Sequence, residues 1–169
     1  TATIRNIKES ISLLQLPRKE TLVLPGFSWR PPDVGSVKIT TDGALYFDEG
    51  RSGAGGVAQS SSALLGSWCK PYMGVSDPLM MECLSLRDGV RFACLRGFQH
   101  VIMEVDCLEL VKFWQSRHNS RSIVAPLLVE IGELCNNFTL FTIQHINRSA
   151  NIPAHLCAKR ACTLNVSDS

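Results

Sequence analysis

Residues 37–57 read VKITTDGALYFDEGRSGAGGV. Val37, Ile39 and Thr41 alternate with Lys38, Thr40 and Asp42, the period of two that marks a strand with one better-buried face. This run is predicted to end on Asp42, to turn through Gly43 and Ala44, and to resume at the glycine-rich stretch 53–57. An isolated Asp-Gly reads as a turn. A carboxylate held at a strand end is also a metal ligand, so the neighbouring segments must separate the two readings.

Downstream, GAGGVAQ (53–59) and ALLGSWCKPYM (63–73) read as two further strands, joined by turns short enough to make antiparallel neighbours. The segment 76–97 is the clearest helix. Asp77 suits its N-cap, Pro78 its first position and Gly97 its stop, while Leu79, Cys83, Leu86, Val90 and Ala93 form an apolar stripe. HVIMEVD (100–106) reads as a strand and CLELVKFWQ (107–115) as a short helix. A helix over roughly 126–136, a strand over 138–146 and a helix over 152–163 complete the order βββαβααβα. Three antiparallel strands followed by strand–helix–strand crossovers predict an α/β fold, a mixed sheet with helices against its faces.

Upstream, Ile4, Ile7, Ile11 and Leu14 have helical spacing, and RPPDVG (30–35) reads as an extended connector. The expected division is an N-terminal amphipathic helix and linker over 1–26, one α/β domain over 27–164 and a tail over 165–169. The 169 residues, 45% of them hydrophobic, suffice for one domain with a real core. No run of 18 apolar residues occurs, so no membrane span is expected. Seven cysteines, an odd number without a CxxC pair, read as reduced, buried thiols of an intracellular protein rather than a zinc site. A net charge of +2 neither implies nor excludes nucleic acid, because a local patch decides that.

Three carboxylates stand out against this layout. Asp42 and Asp106 end the first and fourth strands, which a crossover helix would make parallel neighbours about 4.8 Å apart. Carboxylates that close repel unless a cation sits between them or one takes a proton. Glu82 lies at the edge of the apolar stripe of the first long helix and faces the sheet, which is costly for an unpaired charge. Three converging carboxylates make a hard-oxygen site for Mg²⁺ or Mn²⁺. Taken singly, Asp106 also fits a capping box with Glu109, and Glu82 also fits a side chain whose tip reaches water at the helix edge.

The blocks WRPPDVGSVKITTDGA (29–44), GAGGV (53–57), Glu82 in MECLSL, EVD (104–106) and NIPAHLCAK (151–159) occur together in order. In this the chain resembles the ribonuclease H-like domain of plant retrotransposon-derived, reverse-transcriptase-like proteins, over about residues 27–164. The resemblance implies a five-stranded mixed sheet in the order 3-2-1-4-5 and four acidic residues holding two divalent ions. It implies hydrolysis of the RNA strand of RNA–DNA hybrids by a two-metal mechanism. Asp42, Glu82 and Asp106 match the first three acids, and His155 stands where the fourth is usual. By this carry-over Asp42 bridges both ions, Glu82 and Asp106 complete one site, and His155 serves the second. A neutral imidazole there would favour Mn²⁺ over Mg²⁺. His155 also fits an exposed face of the last helix.

Gly43, Asn151, Arg148, Arg117 and Arg121 are the candidates for nucleic-acid contact. Arg117, His118 and Arg121 with Trp114 form a modest basic–aromatic patch, although Trp114 also suits the core. The short loop before Asn151 has no obvious counterpart of the mobile histidine of many ribonucleases H, for which His145 at the strand end could substitute, and the basic protrusion of some bacterial relatives is missing. Thr40 replaces an asparagine usual in the first motif. The competing reading is a catalytically weak or inactive module of the same fold, binding nucleic acid or a protein partner, the latter through the N-terminal helix.

Overall fold

A computed structural model describes residues 29–119 and 121–164. The predicted N-terminal helix and the tail lie outside the described residues. Five strands, β1 (Val37–Tyr46), β2 (Arg51–Gln59), β3 (Leu64–Met73), β4 (His100–Val105) and β5 (Leu140–His145), form one sheet in the order β3-β2-β1-β4-β5. β1, β2 and β3 are antiparallel neighbours, while β4 runs parallel to both β1 and β5. The helices are α1 (Pro78–Leu95), α2 (Leu108–Gln115), α3 (Ala125–Leu134) and α4 (Ile152–Thr163). This is a mixed α/β sheet flanked by helices, in the strand order that the resemblance implied.

One correction concerns the opening stretch. β1 does not end at Asp42 and nothing turns at Gly43; the strand continues to Tyr46, and Gly43 pairs with Ala54 of β2. The hairpin instead turns through Phe47–Glu49 and Gly50. Parallel pairing with β4 does stop just before Asp42, at Thr41↔Val105. The strand outlives one neighbour and keeps the other. Asp42 thus stands at the end of the β1–β4 ladder without standing at the end of its strand.

Alternation along the strands sorts side chains to two faces. Ile39, Val101, Met103 and Val105 meet Leu86 and Val90 of α1, Leu110 of α2 and Leu128 and Ile131 of α3 in the main core, all of them buried. α1 begins as predicted: the Asp77 carboxylate accepts a hydrogen bond from the Met80 amide at 2.7 Å, with Pro78 in the first turn. Such a cap is worth about 1 kcal/mol.

α4 covers β1 to β3 on the opposite face, through small residues such as Ala44, Ala158 and Cys162. The glycine run of β2 explains how it can. A Cβ at Gly55 would stand 2.3 Å from the Ala158 amide nitrogen and 2.5 Å from the Cys157 carbonyl carbon. The glycines of this predicted strand therefore serve layer packing. Gly43 does the same for α1, since a Cβ there would lie 2.9 Å from the Met81 carbonyl carbon. Helices on both faces are thereby drawn close to β1 around Asp42.

Candidate metal centre

Asp42 is 4% exposed and its strand is gripped from both sides. From α1, the Ser85 hydroxyl donates to the Asp42 carbonyl at 2.6 Å and also lies 3.3 Å from the Gly55 carbonyl. From the start of α4, the Asn151 amide donates to the Thr41 carbonyl at 3.1 Å. Glu82 lies one turn before Ser85 on α1, so the Ser85 bond also fixes how Glu82 approaches β1. Its Oε2 atom is buried without a hydrogen-bond partner.

Asp106 follows β4 directly. α2 starts at Leu108 with Cys107 in the cap position and no side-chain cap, so the capping-box reading of Asp106 does not hold. Its carboxylate joins the other two instead. One carboxylate oxygen from each of Asp42, Glu82 and Asp106 lies within 4.8 Å of the other two. His145, at the end of β5, places Nε2 3.2 Å from the Asp106 carbonyl oxygen and steadies that backbone turn.

The electrostatics follow from this crowding. Burial first, then the charges of Asp42 and Asp106, push Glu82 well above the ordinary carboxylate range. Asp42 is raised as well, by burial and by Asp106, while hydrogen bonds from His155 and Glu82 pull the other way. Without a cation the cluster relieves its repulsion by sharing protons. An orphaned buried oxygen on Glu82 and a hard-oxygen donor set are what a divalent ion such as Mg²⁺ or Mn²⁺ satisfies, so the residues present fit one.

His155 takes a different position. It stands outside the three-carboxylate group, and its Nδ1 lies 2.6 Å from Asp42 Oδ2, with about a third of the side chain exposed. It is thus a direct partner of Asp42.

The carboxylates line a cleft of about 290 Å³, whose walls also include Gly43, Glu109 and Arg148. Arg148 is the one cationic lining residue among those described. The other nucleic-acid candidates divide. Asn151, expected to contact a substrate, is 1% exposed and spends its amide on the Thr41 carbonyl, so it is a tether between α4 and β1. Arg117 stacks on Trp114, 3.9 Å from the ring centroid, and donates to its carbonyl at 2.9 Å. Trp114 packs edge-on against Phe141 beside the core. Arg121 is exposed, and neither arginine lines the cleft. Ser85 was not among the sequence candidates, and Glu109 entered only as a capping-box partner for Asp106. Ser85 lies on the same helix face as Glu82, three residues on, and that spacing was the available signal.

The sequence profile of the family described as reverse transcriptase-like matches residues 40–161. A protein of Arabidopsis thaliana named "Putative ribonuclease H protein" is 29% identical over 157 residues, covering 89% of this chain. The chain spans only 24% of that relative's length. Among solved structures, RNase H1 of the archaeon Halobacterium salinarum superposes with a TM-score of 0.69 at 20% identity, covering 79% of this chain and 99% of the other. The N-terminal RNase H domain of a Mycobacterium tuberculosis protein gives 0.67 at 22% identity, covering 75% and 93%. LC11-RNase H1, solved in complex with an RNA/DNA hybrid, gives 0.67 at 16% identity, covering 75% and 96%.

Proposed function

The chain belongs to the reverse transcriptase-like family with a ribonuclease H-like domain, and from that premise we propose that it is a divalent-metal-dependent nuclease that cuts the RNA strand of RNA–DNA hybrids. The observation that carries this reading is the convergence of Asp42, Glu82 and Asp106 within 4.8 Å at the floor of an open cleft. In this reading the three carboxylates hold Mg²⁺ or Mn²⁺. Two such ions would supply an acidified water for attack and positive charge for the leaving oxygen of the phosphodiester.

The chain's own residues do the rest. Ser85 and Asn151 hold the backbone at Asp42, so the carboxylate meets its partners without a search through rotamers and strand positions. The short His155 hydrogen bond fixes the orientation of one Asp42 oxygen. Gly43 keeps the cleft wall flush with the helix, since a side chain there would meet Met81. Arg148, at the cleft wall, is the natural contact for a substrate phosphate.

A second reading has one observation in its favour. His155 brings no negative charge to the fourth position and is already engaged with Asp42, which suits a module that binds hybrids and cuts them slowly or not at all. A cleavage assay on a labelled RNA–DNA hybrid, run in Mg²⁺ and in Mn²⁺, separates the two. The nuclease reading expects product that disappears in Asp42→Asn. Folded protein that cuts in neither metal, yet retains the hybrid in chelator, overturns it in favour of the binding module.

A further inference from the structure

Asp42 on β1, Gly55 on β2 and Cys69 on β3 are register partners, a row straight across the sheet. Opposite residues of antiparallel strands point to the same face, here the face under α4. The helix sits down hard on this row: a Cβ at Gly55 would stand 2.6 Å from the Cβ of Cys157. Cys157 thus lies over β2, and the neighbouring strand β3 carrying Cys69 is offset sideways by about 5 Å. The two thiols pack with Val57 in a small apolar cluster apart from the main core. We propose that Cys69 and Cys157 are an oxidation site, at which a peroxide joins them into a disulfide linking β3 to α4, the helix that carries His155.

The pair divides the work that such a reaction needs. Cys69 is half-buried, so a small oxidant reaches it, whereas Cys157 is 4% exposed and waits behind it. The neighbouring Cys157 thiol, followed by the Arg160 charge, holds the Cys69 thiol below its ordinary value against the opposing effect of burial. Cys69 is the one thiol of the seven held down. Burial pushes Cys83 and Cys135 up to about 12 and also raises Cys94, Cys107 and Cys162. Low-pKa, reachable thiolates beside a resolving thiol are the ones that oxidise first.

The chemistry balances with a peroxide as the oxidant. The Cys69 thiolate attacks one peroxide oxygen, the O–O bond breaks, and hydroxide leaves to give the sulfenic acid. The Cys157 sulfur then attacks the Cys69 sulfur, the S–O bond breaks, and water leaves with the Cys157 proton. Two thiols lose two electrons and the peroxide becomes two waters.

The test uses the whole chain, reduced, desalted and titrated with a few equivalents of hydrogen peroxide. Free thiols are expected to fall from seven to five, with a non-reducing peptide map joining the Cys69 peptide to the Cys157 peptide. A disulfide closing so long a loop should raise Tm by on the order of 10 °C, reversibly in dithiothreitol. Cys157→Ser should leave a Cys69 sulfenic acid that dimedone traps, and Cys69→Ser should abolish the link. The proposal is overturned if the native chain links Cys83 to Cys107 or Cys94 to Cys135 instead, or if Cys69 runs on to the sulfinic acid unlinked. No readout requires metal or nucleic acid, so failure here leaves the nuclease reading standing, and the converse holds.

Discussion

Replacing Glu82 by glutamine should make the metal-free protein more stable while removing metal-dependent cleavage. The ligand oxygens of Glu82, Asp42 and Asp106 lie within 4.8 Å of one another. Two unit charges at that distance repel by about 3.5 kcal/mol at an effective dielectric near 20. Water at the cleft mouth and the option of binding a proton reduce the net relief to about 1–3 kcal/mol. For a chain of this length that is a rise in Tm of about 2–10 °C. The sign depends on pH. Asp42 and Glu82 are both raised above their ordinary values of 3.8 and 4.5, so the native state binds protons that the unfolded chain has released. Their contribution to stability is complete below those ordinary values and is lost as pH climbs through the raised ones. Glu82→Gln should therefore match the native chain near pH 4 and surpass it increasingly toward pH 8. Thermal melts in chelator at both pH values measure the difference. Added Mg²⁺ should then raise the Tm of the native chain, since only the folded state offers the site, and leave the variant nearly unmoved. A variant that melts at or below the native chain in chelator at pH 8 refutes the reasoning, because Glu82 would then be a structural hydrogen-bonder and not one of three crowded charges.

Gly55→Ala should cost about 1–3 kcal/mol or more, because the new methyl meets Ala158 and Cys157 backbone that has no room to yield; urea denaturation gives the value. His155→Asp removes the 2.6 Å bond to Asp42 and adds a fourth carboxylate. Its Tm in chelator should fall while Mg²⁺ binding tightens by calorimetry, and an unchanged Tm would show that the imidazole does not relieve Asp42. Arg148→Ala should weaken hybrid binding by roughly threefold to tenfold at low salt, a loss that fades as salt rises. Fluorescence anisotropy follows the binding, and an unaltered Tm separates it from misfolding.

Strand and helix identities were legible because each element carries its own period, and the bounds of α4, 152–163, came straight from its pattern. Asp42 was harder for a physical reason. Asp-Gly favours a turn locally, but β2 continues to pair across Gly43, and the cross-strand hydrogen bonds override the local preference. The glycine run of β2 posed the same problem in reverse. Nothing within five residues says that a helix a hundred residues later must lie against it, so only the assembled layers reveal why a side chain at Gly55 is forbidden. Asn151 belongs with these. Its motif suggested a substrate contact, whereas its amide closes a bond to Thr41 over a separation of 110 residues. The three carboxylates were readable through their placement on predicted elements, since strand ends and helix edges project from topology alone. Hydrogen-bond partners do not. That is why the convergence of Asp42, Glu82 and Asp106 was open to sequence reasoning, and why the 2.6 Å pairing of His155 with Asp42 was not. The chemistry of the fourth position therefore turns on whether that imidazole stays with Asp42 when a cation enters. The Mg²⁺ response of His155→Asp measures this directly.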